Sequence, residues 1–97
     1  ALAVHASGTV MQAENNIDFP EADRPPEEFN RLQAGQDYGW PFCVGARQPL
    51  FGADAARCAR TAPPVLTMPA HAAPLGLLYS RAWAGAGQRE ALVVGWH

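Results

Sequence analysis

The chain has 97 residues, nine Asp and Glu against seven Lys and Arg, and a net charge of −2. That length allows one small domain at most, and so weak a net charge gives no drive toward an extended, self-repelling chain. All seven cations are arginines, scattered without a basic run, which argues against a nucleic-acid partner; no apolar stretch approaches the roughly 18 residues of a membrane span.

The large core formers Leu, Ile, Val and Phe make up about a fifth of the residues, near the lower bound for globular chains. Alanine supplies much of the remaining apolar content and buries little area per residue, so marginal stability is expected. In chain order, Leu2 to His5 and Thr9 to Glu14 are short apolar runs joined by Ala6-Ser7-Gly8, which reads as a hairpin. Nothing in Ala1-Leu2-Ala3-Val4 has the charged start and long apolar core of a signal peptide. The opening on a strand-like run without Met predicts a true N-terminus upstream.

Asn15 to Pro26 is a polar, proline-containing loop. Seven of the nine acids lie between Glu14 and Asp37. They read either as a solvated acidic loop or as a hard-cation site, since calcium takes six to eight oxygens. Glu27 to Leu32 is compatible with a helix or a short strand: Pro25-Pro26 followed by acids, with Gly35 behind, suits a helix, but so short a run suits a strand equally. Gln33 to Gln36 reads as a turn. Residues 44–64 form a long irregular segment, of the kind that is functional or tied down. Val65 to Met68, Leu75 to Tyr79 and Ala91 to Trp96 are further short apolar runs. Several short strands, Gly/Pro turns and no long amphipathic helix predict an all-β fold.

Pro26-Glu27-Glu28-Phe29-Asn30-Arg31-Leu32, a Gly35 turn, and Tyr38-Gly39-Trp40-Pro41 together resemble a signature of the glucose/sorbosone dehydrogenases. Met68-Pro69-Ala70-His71-Ala72-Ala73-Pro74-Leu75-Gly76-Leu77-Leu78-Tyr79 is similar to the sorbosone branch of that family, as is the strand Ala91-Leu92-Val93-Val94-Gly95-Trp96-His97. The strand-turn-strand Leu2 to Thr9 fits in register before them. The sequence departs from the pattern at Phe29, at Gln36, and at Asn15-Asn16-Ile17-Asp18, where a Gly- or Pro-containing acidic turn is usual.

The resemblance implies a partial six-bladed β-propeller, about two four-stranded antiparallel blades, since a blade takes roughly 40–50 residues. Residues 1–64 would hold the acidic calcium-type loop, the Tyr-Gly-Trp-Pro segment and the cysteine-flanked loop, and residues 65–97 would start the next blade. It also implies an exported, periplasmic or secreted quinoprotein that oxidises a sugar substrate with pyrroloquinoline quinone, calcium being nearby. The family's catalytic histidine and an Arg-Asn pair that holds the quinone lie upstream of Ala1, so no catalytic residue is expected here. His5 sits where the family uses none and reads as a strand-end histidine.

Glu28 aligns with a calcium-ligating Glu and Tyr38 with a carbonyl ligand ten residues on. Carbonyls around Asn16 and Ile17 complete the implied metal set. The competing reading has Glu28 capping a helix or turn. His71 lies in a loop that reaches the channel in relatives, and His97 falls where some relatives carry a cofactor-contacting lysine; both are candidate cofactor contacts. Trp40 and Tyr38 read as blade packing rather than a sugar platform. Cys43 and Cys58 are expected to form a disulfide, as similarly placed cysteines in the sorbosone branch suggest, rather than a zinc pair with His71. Alternatives of other classes are a non-catalytic, calcium-stabilised propeller module that binds carbohydrate or a protein partner, and a short chain that completes its sheets by self-association. Val4, Val10, Leu66, Leu77, Leu92 and Val94 are expected on faces that a larger parent would bury.

Overall fold

A computed structural model describes all residues, 1–97. Eight short strands and one five-residue helix follow one another: β1 (Leu2–Val4), β2 (Val10–Glu14), β3 (Glu27–Leu32), β4 (Cys43–Val44), β5 (Gln48–Pro49), α1 (Ala55–Ala59), β6 (Leu66–Met68), β7 (Pro74–Ser80) and β8 (Ala91–Trp96). The chain is mostly strand and its pairings are all antiparallel. No helix is long and apolar enough to cross a membrane.

Strands β1, β2, β3 and β6 form a four-stranded sheet in that order, and β7 with β8 forms a separate hairpin. The predicted first hairpin is present, turning at Ser7-Gly8 with the Gly8 N–H donating to the His5 carbonyl. Glu27 to Leu32 resolves as a strand, not a helix. It is central in the sheet, with Glu14 opposite Glu28 on one side and Thr67 opposite Glu28 on the other. Both of its edges are paired, and its first four residues are all buried.

The two faces of the sheet differ. One carries Ala3, Met11, Ala13 and Phe29, the buried apolar core, and β7 packs against β1 and β2 on this side. Phe29, Leu66 and Met68 face Leu77, Leu92 and Val94 of the hairpin across an apolar cleft of about 260 Å³. Alternation puts Leu2, Val4, Gln12, Glu14, Glu28 and Asn30 on the opposite face. There Leu2 and Val4 are 61% and 69% exposed. The expectation of uncovered apolar faces therefore divides: Val4, Leu66 and Leu92 are exposed, whereas Val10, Leu77 and Val94 are half-buried.

Residues 44–64 are less irregular than the sequence predicts. They hold the β4–β5 hairpin and α1, whose first turn is capped by the Asp54 carboxylate accepting from the Arg57 N–H. A Cys43–Cys58 disulfide ties this excursion down, with Cα atoms 5.6 Å apart and both residues buried. Closing a loop of that length contributes about 3 kcal/mol in the chain-entropy model, a large share of what a thin core supplies. With both sulfurs bonded to each other, the zinc alternative is removed: no thiolate is left to ligate a metal.

Candidate functional site

Antiparallel pairing gathers three separated segments at one end of the two layers. The β2–β3 connection, the β6–β7 connection and the residue after β8 all emerge there. Glu27 is the fastening. Its side chain is buried, and its two oxygens accept from the Asn16 N–H at 2.5 Å and the Ala73 N–H at 3.3 Å. One carboxylate thus holds both loops. Ala73 in turn accepts from the His97 N–H at 3.2 Å, and the amino group of Ala1 donates to the Ala13 carbonyl at 2.8 Å.

His71 also joins the two loops. Its Nδ1 lies 3.2 Å from Asp18 Oδ1 and its Nε2 2.8 Å from the Glu21 carbonyl. The Glu21 carbonyl, and then the Asp18 carboxylate, hold its pKa above the ordinary imidazole value. His71 and Ala73 both have positive φ, 65° and 46°, a conformation that non-glycine residues adopt at a cost. The contacts to Glu27, Asp18 and Glu21 hold the loop there.

Glu28 points the other way, because successive strand residues alternate faces. It is buried with Asn30, and Gln12 and Glu14 stand directly across from Asn30 and Glu28 on β2. The Asn30 Nδ2 has Gln12 Oε1, Glu14 Oε2 and Glu28 Oε2 each at 3.3 Å. An amide nitrogen has two protons for these three oxygens. The Asn30 Oδ1 is buried without a partner, a costly state for a carbonyl. The other Glu28 oxygen accepts from the Gly45 N–H. Gly45 adopts φ +53°, and a Cβ there would come within 3.0 Å of Pro26 Cγ, so a side chain at 45 would disturb this contact. Burial raises the pKa of Glu14, with the Glu28 and Glu27 charges adding to it. Burial likewise raises that of Glu28, against the Gly45 and Asn30 hydrogen bonds.

The residues singled out in the sequence therefore separate into groups. Asn16, Ile17, His71 and His97 are brought to one end. Asn16 is tied to Glu27 rather than to Glu28, and the Ile17 N–H is bound by the Asn16 side chain. The Tyr38 hydroxyl sits at the far end of β3, donating to the Arg31 carbonyl and accepting from the Gln33 N–H. Trp40 is 54% exposed and packs less than expected. Glu28 caps no helix, but its carboxylate caps a turn, accepting from the Gly45 N–H between β4 and β5. Glu27, Gln12, Glu14 and Asn30 were not singled out. The signal for them is period-two alternation in Gln12-Ala13-Glu14 and Glu28-Phe29-Asn30, which becomes readable once both segments are taken as paired strands.

No three His, Cys, Asp or Glu side chains converge as a metal-holding group; the polar cluster pairs two carboxylates with two amides. A scan against protein-family models, a search of curated proteins and a search of solved structures each found no match to this chain.

Proposed function

We propose that the chain is part of a β-propeller quinoprotein of the glucose/sorbosone dehydrogenase type. In this reading it oxidises an aldose or a sorbosone-like sugar in the periplasm or outside the cell. The chain supplies a cation-holding blade and one wall of the cofactor end, not the catalytic base. The observation that carries the reading is the stacking of a four-stranded antiparallel sheet on the start of a second sheet, with apolar side chains left on the outward face at Leu2 and Val4. A slice of a closed ring has this character, because each blade is covered by its neighbours. The bonded cysteines agree with an oxidising compartment.

Calcium fits the polar cluster by the chemistry of its donors. Reversing the Asn30 amide would bring its orphaned oxygen toward Glu14, Glu28 and Gln12, making four hard oxygens with two charges, part of the six to eight that calcium takes. This set replaces Tyr38, Asn16 and Ile17 as partners of Glu28. Pyrroloquinoline quinone, when bound, accepts the hydride from the sugar. His97 is exposed, and its ring makes no hydrogen bond within the chain, so it is free to donate to a quinone oxygen. His71 has both nitrogens engaged and serves to fix its loop.

A second reading has support of its own. His71 is committed to contacts within the chain, so a non-catalytic, calcium-stabilised module that binds carbohydrate or a protein partner would need nothing further from it. The test is dye-linked oxidation of aldoses and sorbosone by the polypeptide that carries this segment, with quinone and calcium added. Turnover that needs both is expected, while residues 1–97 alone stay inactive. Calcium-dependent stabilisation without turnover would select the module instead.

A further inference from the structure

At the opposite end of the layers, three side chains from two segments form a continuous hydrogen-bonded line. Ser7 Oγ lies 2.7 Å from His5 Nδ1, and His5 Nε2 contacts the Glu90 carboxylate. The proton positions follow from one further contact. The Ser7 backbone N–H donates to the same Nδ1 at 3.1 Å. A backbone N–H can only donate, so Nδ1 must present a lone pair, and the ring proton resides on Nε2, facing Glu90. The Ser7 hydroxyl, 2.7 Å from Nδ1 and 3.1 Å from Thr9 Oγ1, is a second donor toward that one lone pair. This is the carboxylate–imidazole–hydroxyl order that activates a serine.

The surroundings hold the line in place. His5 and Glu90 side chains are 32% and 25% exposed. The Glu90 Oε1 lies 3.5 Å from Nε of the largely exposed Arg81 side chain. Tyr79 meets the His5 ring edge-on with centroids 4.9 Å apart. The charged groups facing the imidazole are Glu90 and, behind it, Arg81. The Thr9 hydroxyl stands 3.1 Å from Ser7 Oγ. Beside them opens a cleft of about 380 Å³ lined by His5, Thr9, Tyr79, Glu90, Ala91 and Leu92; Ser7 is exposed and lies outside that lining.

We propose that Ser7 is an activated nucleophile toward small activated esters, with His5 as its general base and Glu90 as the positioning carboxylate. Ser7 Oγ attacks the ester carbonyl carbon while its proton passes to His5 Nδ1. That proton then leaves with the departing alcohol as the C–O bond breaks, giving an acyl-Ser7. Water, deprotonated by the same nitrogen, releases the carboxylic acid and restores the serine. The Thr9 hydroxyl is the donor nearest the developing oxyanion. The neighbouring Gly8 and Ser7 N–H groups are already engaged, so turnover is slow, since each missing oxyanion donor costs roughly 10²–10³-fold. The proposal is independent of the sugar-oxidation reading.

The test is covalent labelling of the full chain by a fluorophosphonate probe, with peptide mapping, alongside hydrolysis of p-nitrophenyl acetate. The expected result is a single adduct on Ser7, absent from the unfolded chain and from Ser7→Ala. His5→Gln should slow labelling by on the order of 10²-fold, the lower range for general-base catalysis, and Glu90→Gln should slow it less. Labelling no faster than in the unfolded chain, or labelling elsewhere, would overturn the proposal and leave His5 as a turn cap. If His5→Gln does not fold, the ¹⁵N shifts of the unmodified His5 ring decide. A proton on Nε2 is required, and a proton on Nδ1 refutes the arrangement.

Discussion

Replacing Glu27 by Gln should loosen the loops around Asn16 and Ala73 more than any surface change in the acidic segment. The wild-type carboxylate is buried and accepts two backbone N–H groups, from Asn16 and Ala73. Glutamine keeps the shape but has one acceptor oxygen, so its NH₂ must face one of those donors. One charge-assisted hydrogen bond is lost, worth roughly 1.5–3 kcal/mol, and a buried donor is left without a partner. For a domain of this size, that is a fall in Tm of order 10 °C. Glu27→Ala removes both acceptors and should cost more. Urea unfolding gives the stability change, and amide hydrogen exchange locates it: exchange at Asn16 and Ala73 should accelerate together. Unchanged protection at both amides would refute the clamp, whatever happened to global stability.

Three other predictions concern the rest of the molecule. Reducing the Cys43–Cys58 bond should lower stability by about 3 kcal/mol; finding two free thiols by mass spectrometry in protein from an oxidising compartment would contradict the pairing. Burial raises the Glu14 and Glu28 pKa values, so the folded state binds protons more tightly than the unfolded chain. Their contribution to stability is then greatest below the ordinary glutamate range and falls as pH rises through the raised values. Calcium should reverse that loss near neutrality, and Glu14→Gln should both flatten the pH dependence and abolish the calcium response in a thermal melt. Finally, the isolated chain should self-associate through the face bearing Leu2 and Val4, because leaving such side chains wet costs about 1.5–3 kcal/mol each relative to burial. Sedimentation equilibrium at tens of micromolar should show oligomers, and Val4→Asp should shift them toward monomer; a well-folded wild-type monomer would count against the two-blade reading.

Local signals in the sequence determined much of the secondary structure. Apolar runs bounded by Gly and Pro placed the first hairpin, β6, β7 and β8, because strand formation and tight turns depend on near neighbours. The all-β class followed from the same runs. Whether Glu27 to Leu32 became helix or strand was a tertiary decision: six residues carry too little periodicity, and pairing on both edges by β2 and β6 settled it. The roles of Glu27 and Glu28 were likewise invisible locally. Two adjacent, chemically identical acids acquire opposite duties only when a sheet assigns them opposite faces, one fastening the Asn16 and Ala73 loops, the other facing Glu14 and Asn30. The meeting of His5 with Glu90, 85 positions away, lay beyond any local pattern, since it depends on how the hairpin of β7 and β8 stacks on the sheet.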